Sequence, residues 1–225
     1  AAGSIIHYLD DTEHNNLTHI SSLQRIFPES YVWMDRFTMK NLELFNSNSI
    51  NGFNLSDTID ETITSMGSRK LKSWIAFPLI DKKEIKKRQE IVQSIMSDDE
   101  ISRLLDINLN NISDIERLMS KIATYKISPR ELVNLKSSLE NVDLIKDSLL
   151  VYSGVLKNYG KSLPNSKSII GAISKTLKDD SPVSILKGDF IKDGFSKELD
   201  GLREIRSSGK EYLNQILERE TKKTN

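Results

Sequence analysis

Three basic residues and a tryptophan lie close together in the stretch ETITSMGSRKLKSWIAFPLID, residues 61–81. Cations gathered on one side of a helix could bind phosphate groups. At about 100° per residue, however, Lys70 and Lys72 fall on opposite flanks of the face that carries Trp74, and Arg69 points nearly away from it. The cations are therefore spread around the helix. We interpret the stretch as a helix whose apolar face enters the core, and the residues expected there are Leu71, Trp74 and Ile75.

Two residues of this helix have a structural interpretation. Gly67 lies on the apolar face, where the lack of a side chain would let another helix approach closely. Arg69 carries a planar guanidinium that suits bidentate pairing with a carboxylate. We expect Arg69 to support the core through an ion pair with a buried carboxylate.

The other candidate chemical sites fail on spacing. His7, His14 and His19 do not form the i, i+4 pair with an intervening glutamate that a helical zinc site needs. The stretch SSGKEYL at 207–213 is similar to the end of a phosphate-binding loop. However, the glycine expected five residues before Gly209 is missing, and Glu211 stands where a hydroxyl should bind magnesium. The sequence therefore predicts no catalytic, cofactor-binding or metal-binding residue in this chain.

Composition narrows the function classes further. Thirty-two basic and 32 acidic residues give a formal net charge of zero, so no global field draws the chain to nucleic acid. Any affinity for DNA must come from a local patch or from another domain. The chain has no cysteine, which excludes disulfides and thiolate metal sites. No apolar run approaches the roughly 18 to 20 residues that cross a bilayer, so we expect no membrane partner.

Helical periodicity runs through almost the whole chain. The one credible extended run is YVWMD at 31–35, and the composition of 46–56 predicts a loop. We therefore expect an all-α fold: a multi-helix core bundle with a long protruding helix and one short strand near 31–35. The predicted helices cover residues 4–10, 20–27, 38–45, 65–77, 81–96, 98–107, 113–125, 128–149, 166–177 and 196–225.

The last predicted helix carries a near-heptad apolar stripe, the seam, which indicates a partner helix alongside it. About 27 residues at 1.5 Å each make this helix roughly 40 Å long. Gly209 within the seam costs about 1 kcal/mol relative to alanine. It marks either a close contact with another helix or an incidental surface position. The seam consists of Leu199, Leu202, Ile205, Gly209, Leu213 and Ile216.

These residues resemble, in the same order along the chain, the core and lever region of the MutS family of DNA mismatch repair proteins. MDRFTMKNLELF at 34–45 is similar to the family's Asp-x-x-Thr-x-x-Asn-Leu-Glu-Leu, with Lys40 where arginine is usual. DIERLMSKIATYKISPREL at 114–132 is similar to its Asp-x-Glu-Arg and Pro-Arg-Asp-Leu segments, with Glu131 replacing the aspartate. The most characteristic run is matched by Asp60, Thr62, Thr64, Met66, Gly67, Arg69, Leu71, Trp74, Pro78 and Leu79.

The resemblance implies that residues 1–195 form a helical core domain. Residues 196–225 would be the first half of a lever helix pair, cut just before a clamp domain. This segment would have no catalytic activity and no cofactor, while the full-length protein would be a DNA-dependent ATPase that holds ATP and Mg in another domain. The segment would couple that domain to DNA clamping.

The implied partners are mismatched double-stranded DNA, a second copy of the full-length protein and other mismatch repair proteins. The implied location is the bacterial cytoplasm, at the nucleoid. Two alternatives stay open: the core of a relative that acts in recombination, and a helical scaffold that binds a protein through its exposed seam.

Overall fold

The computed structural model describes residues 2–12 and 27–224, and within these ranges it contains eleven α-helices and no β-sheet. The all-α prediction is confirmed. Two 3₁₀ turns, Pro28–Ser30 and Ile185–Lys187, lie in the connections. The helices are α1 (Ala2–Asp11), α2 (Arg36–Asn41), α3 (Leu55–Ile59), α4 (Ser65–Ala76), α5 (Lys82–Met96), α6 (Asp99–Asn110), α7 (Ile115–Ala123), α8 (Pro129–Val151), α9 (Gly154–Ser162), α10 (Lys167–Thr176) and α11 (Lys197–Thr224).

Most helices begin where the sequence supplies a capping side chain. At α8, the Ser128 hydroxyl accepts from the backbone N–H of Glu131 at 3.3 Å, and the Glu131 carboxylate accepts from the backbone N–H of Ser128 at 2.9 Å. Pro129 occupies the first helical position, where a missing N–H costs nothing. Asp81 and Asp98 cap α5 and α6 through their carboxylates. These caps fix the helix starts that the sequence predicts.

The core is built around α8, which packs against α6, α7, α9 and α10. Its centre is an apolar cluster of Ile101 from α6, Ile145 and Leu149 from α8, and Leu156 from α9. Burying each such side chain stabilises the fold by about 1.5–3 kcal/mol. The helices around α8 are therefore held mainly by their apolar contacts with it.

One polar group is enclosed in this core without loss of its hydrogen bonds. Ser138 on α8 is fully buried, and its hydroxyl donates to the Asn134 carbonyl at 2.8 Å. The same hydroxyl accepts from the backbone N–H of Ser113 at 3.0 Å. The connection that leads into α7 is thereby tied to α8.

The run predicted to be a strand forms a single antiparallel bridge, between Tyr31 and Leu79. The Val32 N–H donates to the Pro78 carbonyl at 2.8 Å, and the Tyr31 ring meets the Phe77 ring edge-on at 5.9 Å between centroids. No longer ladder forms because Asp35 already caps α2.

Three other element predictions differ from the structure. Helix α2 ends at Asn41 instead of residue 45, because Glu43 adopts a left-handed φ of 50°. Helix α3 begins inside the predicted loop, where the Asn54 side chain caps it. Helix α9 was not predicted. The predicted helix at 20–27 lies outside the described residues except for Phe27. No helix in the described part of the chain is both long and apolar enough to cross a membrane.

Leu135 tests the role of α8, since its side chain is only 1% exposed. We expect Leu135→Ala to lower the free energy of unfolding by about 2–5 kcal/mol, because it leaves a cavity in the core. Urea unfolding followed by circular dichroism would measure this. Leu144→Ala on the exposed side of the same helix is the control, with an expected change within about 0.5 kcal/mol. Equal losses in the two variants would contradict the placement of the core.

Candidate functional site

The segment that leads into α4 is a compact capping loop. The Asp60 carboxylate accepts hydrogen bonds from the hydroxyls of Thr62, at 2.5 Å, and Ser68. The hydrogen bond from Ser68, followed by that from Thr62, lowers the pKa of Asp60 below its usual value. The Thr64 hydroxyl accepts from the backbone N–H of Gly67 at 3.0 Å. The side chains of the Asp-x-Thr-x-Thr pattern therefore cap the first turn of α4 and hold the loop before it against the helix.

Gly67 makes its close contact with this capping loop, and the expected contact with another helix is wrong. A Cβ added at Gly67 would lie 3.1 Å from the Thr64 hydroxyl and 3.3 Å from the Thr62 Cβ. Thr62 and Thr64 can fold back onto α4 because Gly67 has no side chain.

Arg69 forms the Arg69 clamp, a fork of hydrogen bonds to Asp114 and Glu116. Its Nη1 and Nη2 each donate to one oxygen of Asp114 at 2.8 Å, and its Nε and Nη2 donate to Glu116 Oε2 at 3.0 and 2.6 Å. The expected ion pair is present, but its carboxylates are not buried: the side chain of Asp114 is 20% exposed and that of Glu116 is 68% exposed. It joins α4 to the start of α7, although the Arg69 side chain is 48% exposed. Whether it supports the core stays a prediction.

The clamp changes the acidity of its main partner. The Arg69 guanidinium, through its hydrogen bonds, lowers the pKa of Asp114 from 3.8 to about 2, and the two carboxylates raise the pKa of Arg69. Asp114 also accepts from the backbone N–H of Arg117 at 3.1 Å, which caps α7. The Asp114 carboxylate therefore caps α7 and also binds Arg69 of α4.

Trp74 lies at the surface, so its expected place in the core is wrong. Its side chain is 41% exposed, while Leu71 and Ile75 are half-buried. The guanidinium of Arg88 on α5 lies 3.8 Å from the centre of a Trp74 ring, an arrangement in which the cation is attracted to the ring face. Trp74 therefore connects α4 to α5 through a cation instead of an apolar contact.

Two further residues of the characteristic run have local roles. Half-buried Pro78 supplies the carbonyl that accepts from Val32. Met66 lines an apolar cavity of 380 Å³ together with residues of α5, α6, α8 and α9.

Arg203 anchors the last helix, and sequence reasoning missed it. Its Nη1 lies 2.6 Å from Asp193 Oδ1 and 3.5 Å from Asp200 Oδ1, while its Nη2 donates to the Ile191 carbonyl at 2.9 Å. The Asp200 carboxylate also accepts from the backbone N–H of Gly194 at 2.9 Å. We call this arrangement around Arg203 the lever base. Three aspartates within the fourteen residues before an arginine, at 189, 193 and 200, were the available signal.

Residues 189–193 connect the lever base to the core. Ile191 pairs with Leu177 at the end of α10, where the Lys178 N–H donates to the Phe190 carbonyl at 2.9 Å. Lys178 Nζ lies 2.6 Å from Asp189, and hydrogen bonds from this segment to α10 continue through Lys192.

The loop after α10 is in turn bound to α8. Lys136 Nζ lies 2.5 Å from Asp179, and Arg130 Nε donates to the Ser181 carbonyl at 3.2 Å. A continuous set of contacts therefore runs from α8 to the first turns of α11.

Beyond its base, the seam of α11 faces solvent. Leu199 is half-buried, but the exposed fraction rises to 59% at Leu202 and 69% at Ile205. Leu213 and Ile216 are 66% and 40% exposed, and a Cβ added at Gly209 would meet nothing within 4 Å. The predicted stripe thus lies on one uncovered face of the helix.

The histidines show no metal-binding arrangement in the described part of the chain. His7 Nδ1 lies 2.9 Å from Asp11, while His14 and His19 lie outside the described residues. Within residues 2–12 and 27–224, no group of three or more His, Cys, Asp or Glu side chains could hold a metal ion.

These features define a helical core domain from which a long, apolar-sided helix projects. The family model described as MutS domain III matches residues 37–224. The chain therefore belongs to the MutS family of DNA mismatch repair proteins and represents its domain III.

Curated relatives agree over the whole chain. It is 45% identical over 225 residues to the DNA mismatch repair protein MutS of Christiangramia forsetii, and 45% identical over the same length to that of Flavobacterium johnsoniae. The MutS of Parabacteroides distasonis is 42% identical over 226 residues. Each alignment covers 100% of this chain, which spans 26% of the length of each relative.

The Arg69 clamp predicts a specific titration. We expect Arg69→Gln to raise the pKa of Asp114 from about 2 towards 3.8, because the carboxylate loses its guanidinium partner. NMR of the aspartate carboxyl carbons over pH would measure this. Because the folded pKa is lowered, the stabilisation by this carboxylate is complete above pH 3.8 and is lost as the pH falls through about 2. Lys70→Gln, one position along, is the control, and an unchanged Asp114 pKa in Arg69→Gln would contradict the clamp.

Proposed function

We propose that residues 1–195 are the core and residues 196–225 the first lever of a mismatch repair protein. This unit transmits movement between an ATPase domain and a DNA-gripping clamp of the full-length protein. The observation that carries this proposal is the lever base, where Arg203 joins the start of α11 to the 189–193 segment.

Helix mechanics supports the proposal. The 28 residues of α11 at 1.5 Å each give a rod about 42 Å long. A rotation of about 10° at its base, smaller than known rigid-body rotations of about 15°, would move the tip by about 7 Å. Because Arg203 binds Asp193 and the Ile191 carbonyl at the base, we expect the first turns of α11 to move with the core.

The full-length protein gives this unit its partners. We propose that these are mismatched double-stranded DNA, a second copy of the full-length protein and other mismatch repair proteins, with ATP and Mg bound in another domain. We propose that the unit takes no catalytic part and that the full-length protein acts in the bacterial cytoplasm at the nucleoid. Support comes from the three relatives named above, which are all DNA mismatch repair proteins.

The exposed seam favours a second candidate function, a scaffold that binds a protein through α11. Dimerisation of the 225-residue chain through the seam, lost in Leu213→Glu, would support that alternative. A core from a recombination relative is less well supported, because the mismatch repair relatives align over the whole chain, including residues 1–36.

Arg203 tests the coupling. In the full-length protein, we expect Arg203→Gln to leave DNA binding and ATP hydrolysis each within about twofold of wild type. The effect of ATP on DNA dissociation should shrink at least fivefold, the lower range of typical coupling energies. Stopped-flow release of labelled DNA with and without ATP would measure it. Lys197→Gln, exposed at the start of the same helix, should behave as wild type. Unchanged coupling in Arg203→Gln would refute the role of the lever base.

Gly209 tests whether another helix packs on the seam. In the 225-residue chain, we expect Gly209→Ala to strengthen α11 by up to about 1 kcal/mol, since a Cβ there meets nothing within 4 Å. In the full-length protein the same substitution should weaken the ATP effect on DNA release. Gly201→Ala, on α11 but off the seam, should strengthen the helix without that loss. If Gly209→Ala left the ATP effect on DNA release unchanged, as Gly201→Ala should, Gly209 would be an incidental surface glycine.

A further inference from the structure

Four exposed lysines lie on the first two turns of α5, within the stretch KKEIKKR at 82–88. At about 100° per residue they fall within an arc of about 140°. Arg69, Lys70 and Lys72 fail this test of a phosphate-binding face, because they spread around α4. The lysine strip passes it; its members are Lys82, Lys83, Lys86 and Lys87.

The opposite side of α5 attaches the helix to the rest of the molecule. Ile91 and Ile95 are half-buried against the apolar core cluster, and half-buried Arg88 covers Trp74. The Asp81 carboxylate accepts from the backbone N–H of Lys83 at 2.8 Å, which fixes the start of the helix. The strip is therefore presented to solvent by a helix whose orientation is set by its other face.

Few carboxylates neutralise the positive charge of the lysine strip. Among the described residues, its only ion pair joins Lys87 to Glu84 at 3.9 Å. Lys136 and Lys178 elsewhere each hold a carboxylate at 2.5 and 2.6 Å. Residues 82–88 contain five cations and one carboxylate, a local charge of +4 in a chain of zero net charge. Glu90, one turn further on the same side, bounds the strip.

We propose that the lysine strip binds the phosphate backbone of double-stranded DNA, without preference for sequence or mismatch, at a site separate from the lever. Lysine suits this task because its ammonium is a mobile point charge that needs no fixed geometry at the phosphate. Such contacts position a protein on the duplex and carry no sequence information. The assignment to DNA instead of an acidic protein rests on the proposed function in mismatch repair.

Counterion release sets the expected size of the effect. Each phosphate contact contributes about 0.9 to the slope of log affinity against log salt concentration, so four contacts give a slope of about −3.6. Between 50 and 200 mM salt, binding by the strip should weaken about 150-fold.

The test is fluorescence anisotropy of a labelled duplex with the 225-residue chain over this salt range. We expect weak binding with the stated slope, equal for matched and mismatched duplexes. The variant that replaces Lys82, Lys83, Lys86 and Lys87 with glutamine should bind at least tenfold more weakly at 50 mM salt. Its slope of log affinity against log salt concentration should be shallow, between about −1 and zero. The control variant replaces four exposed lysines elsewhere, so its net charge is the same; its positions are Lys70, Lys126, Lys157 and Lys175.

Each outcome decides the proposal. A loss confined to the strip variant, with circular dichroism unchanged, supports it. Equal losses in the two variants would show a general charge effect, and no binding by the wild type at 50 mM salt would overturn it as well. Polyglutamate that binds the strip more tightly than the duplex would assign the surface to an acidic protein. Because this test measures direct binding, its failure leaves the coupling through Arg203 standing.

Discussion

Burial of α8 is the constraint on which the other elements depend. Leu135, Ile145 and Leu149 must leave water together, and this requires helices on several sides of α8. The same helix carries Lys136 and Arg130, which bind the loop after α10. The apolar core and the support of the lever base therefore share one element, so movement of α11 relative to the core requires deformation at the 189–193 segment first.

The two arginine forks differ in energetic weight. Arg69 is 48% exposed and Glu116 is 68% exposed, so solvent screens much of the attraction within the clamp. Arg203 is 28% exposed, and one of its donors is used by a backbone carbonyl. A hydrogen bond from a charged group contributes about 1.5–3 kcal/mol. The Arg69 clamp mainly sets orientation, whereas the lever base resists displacement.

Residues that act on near neighbours in the sequence predicted more of this structure than residues that act on distant ones. The helix starts at Asp81, Asp98 and Ser128 could be predicted, because a capping side chain binds a backbone N–H only two or three residues away. The predicted surroundings of Trp74 and Gly67 were wrong because helical periodicity shows which residues share a face of α4. It does not show which part of the chain covers that face. Arg203 was missed because its partner Asp193 and the Ile191 carbonyl become neighbours only after the chain turns between α10 and α11. Long-range polar contacts leave no periodic signature.

Phosphate contacts by the exposed charges of this domain would carry no sequence selectivity. Its charged groups either form ion pairs with one another, as Arg203 does, or are exposed to solvent, as Lys82 and Lys86 are. Point charges on a helix cannot distinguish one base pair from another, since phosphates are the same at every step. A rod such as α11 can report a movement made elsewhere, but it contributes no selectivity. On the function proposed above, discrimination between mispairs therefore needs contacts other than those of the lysine strip and α11.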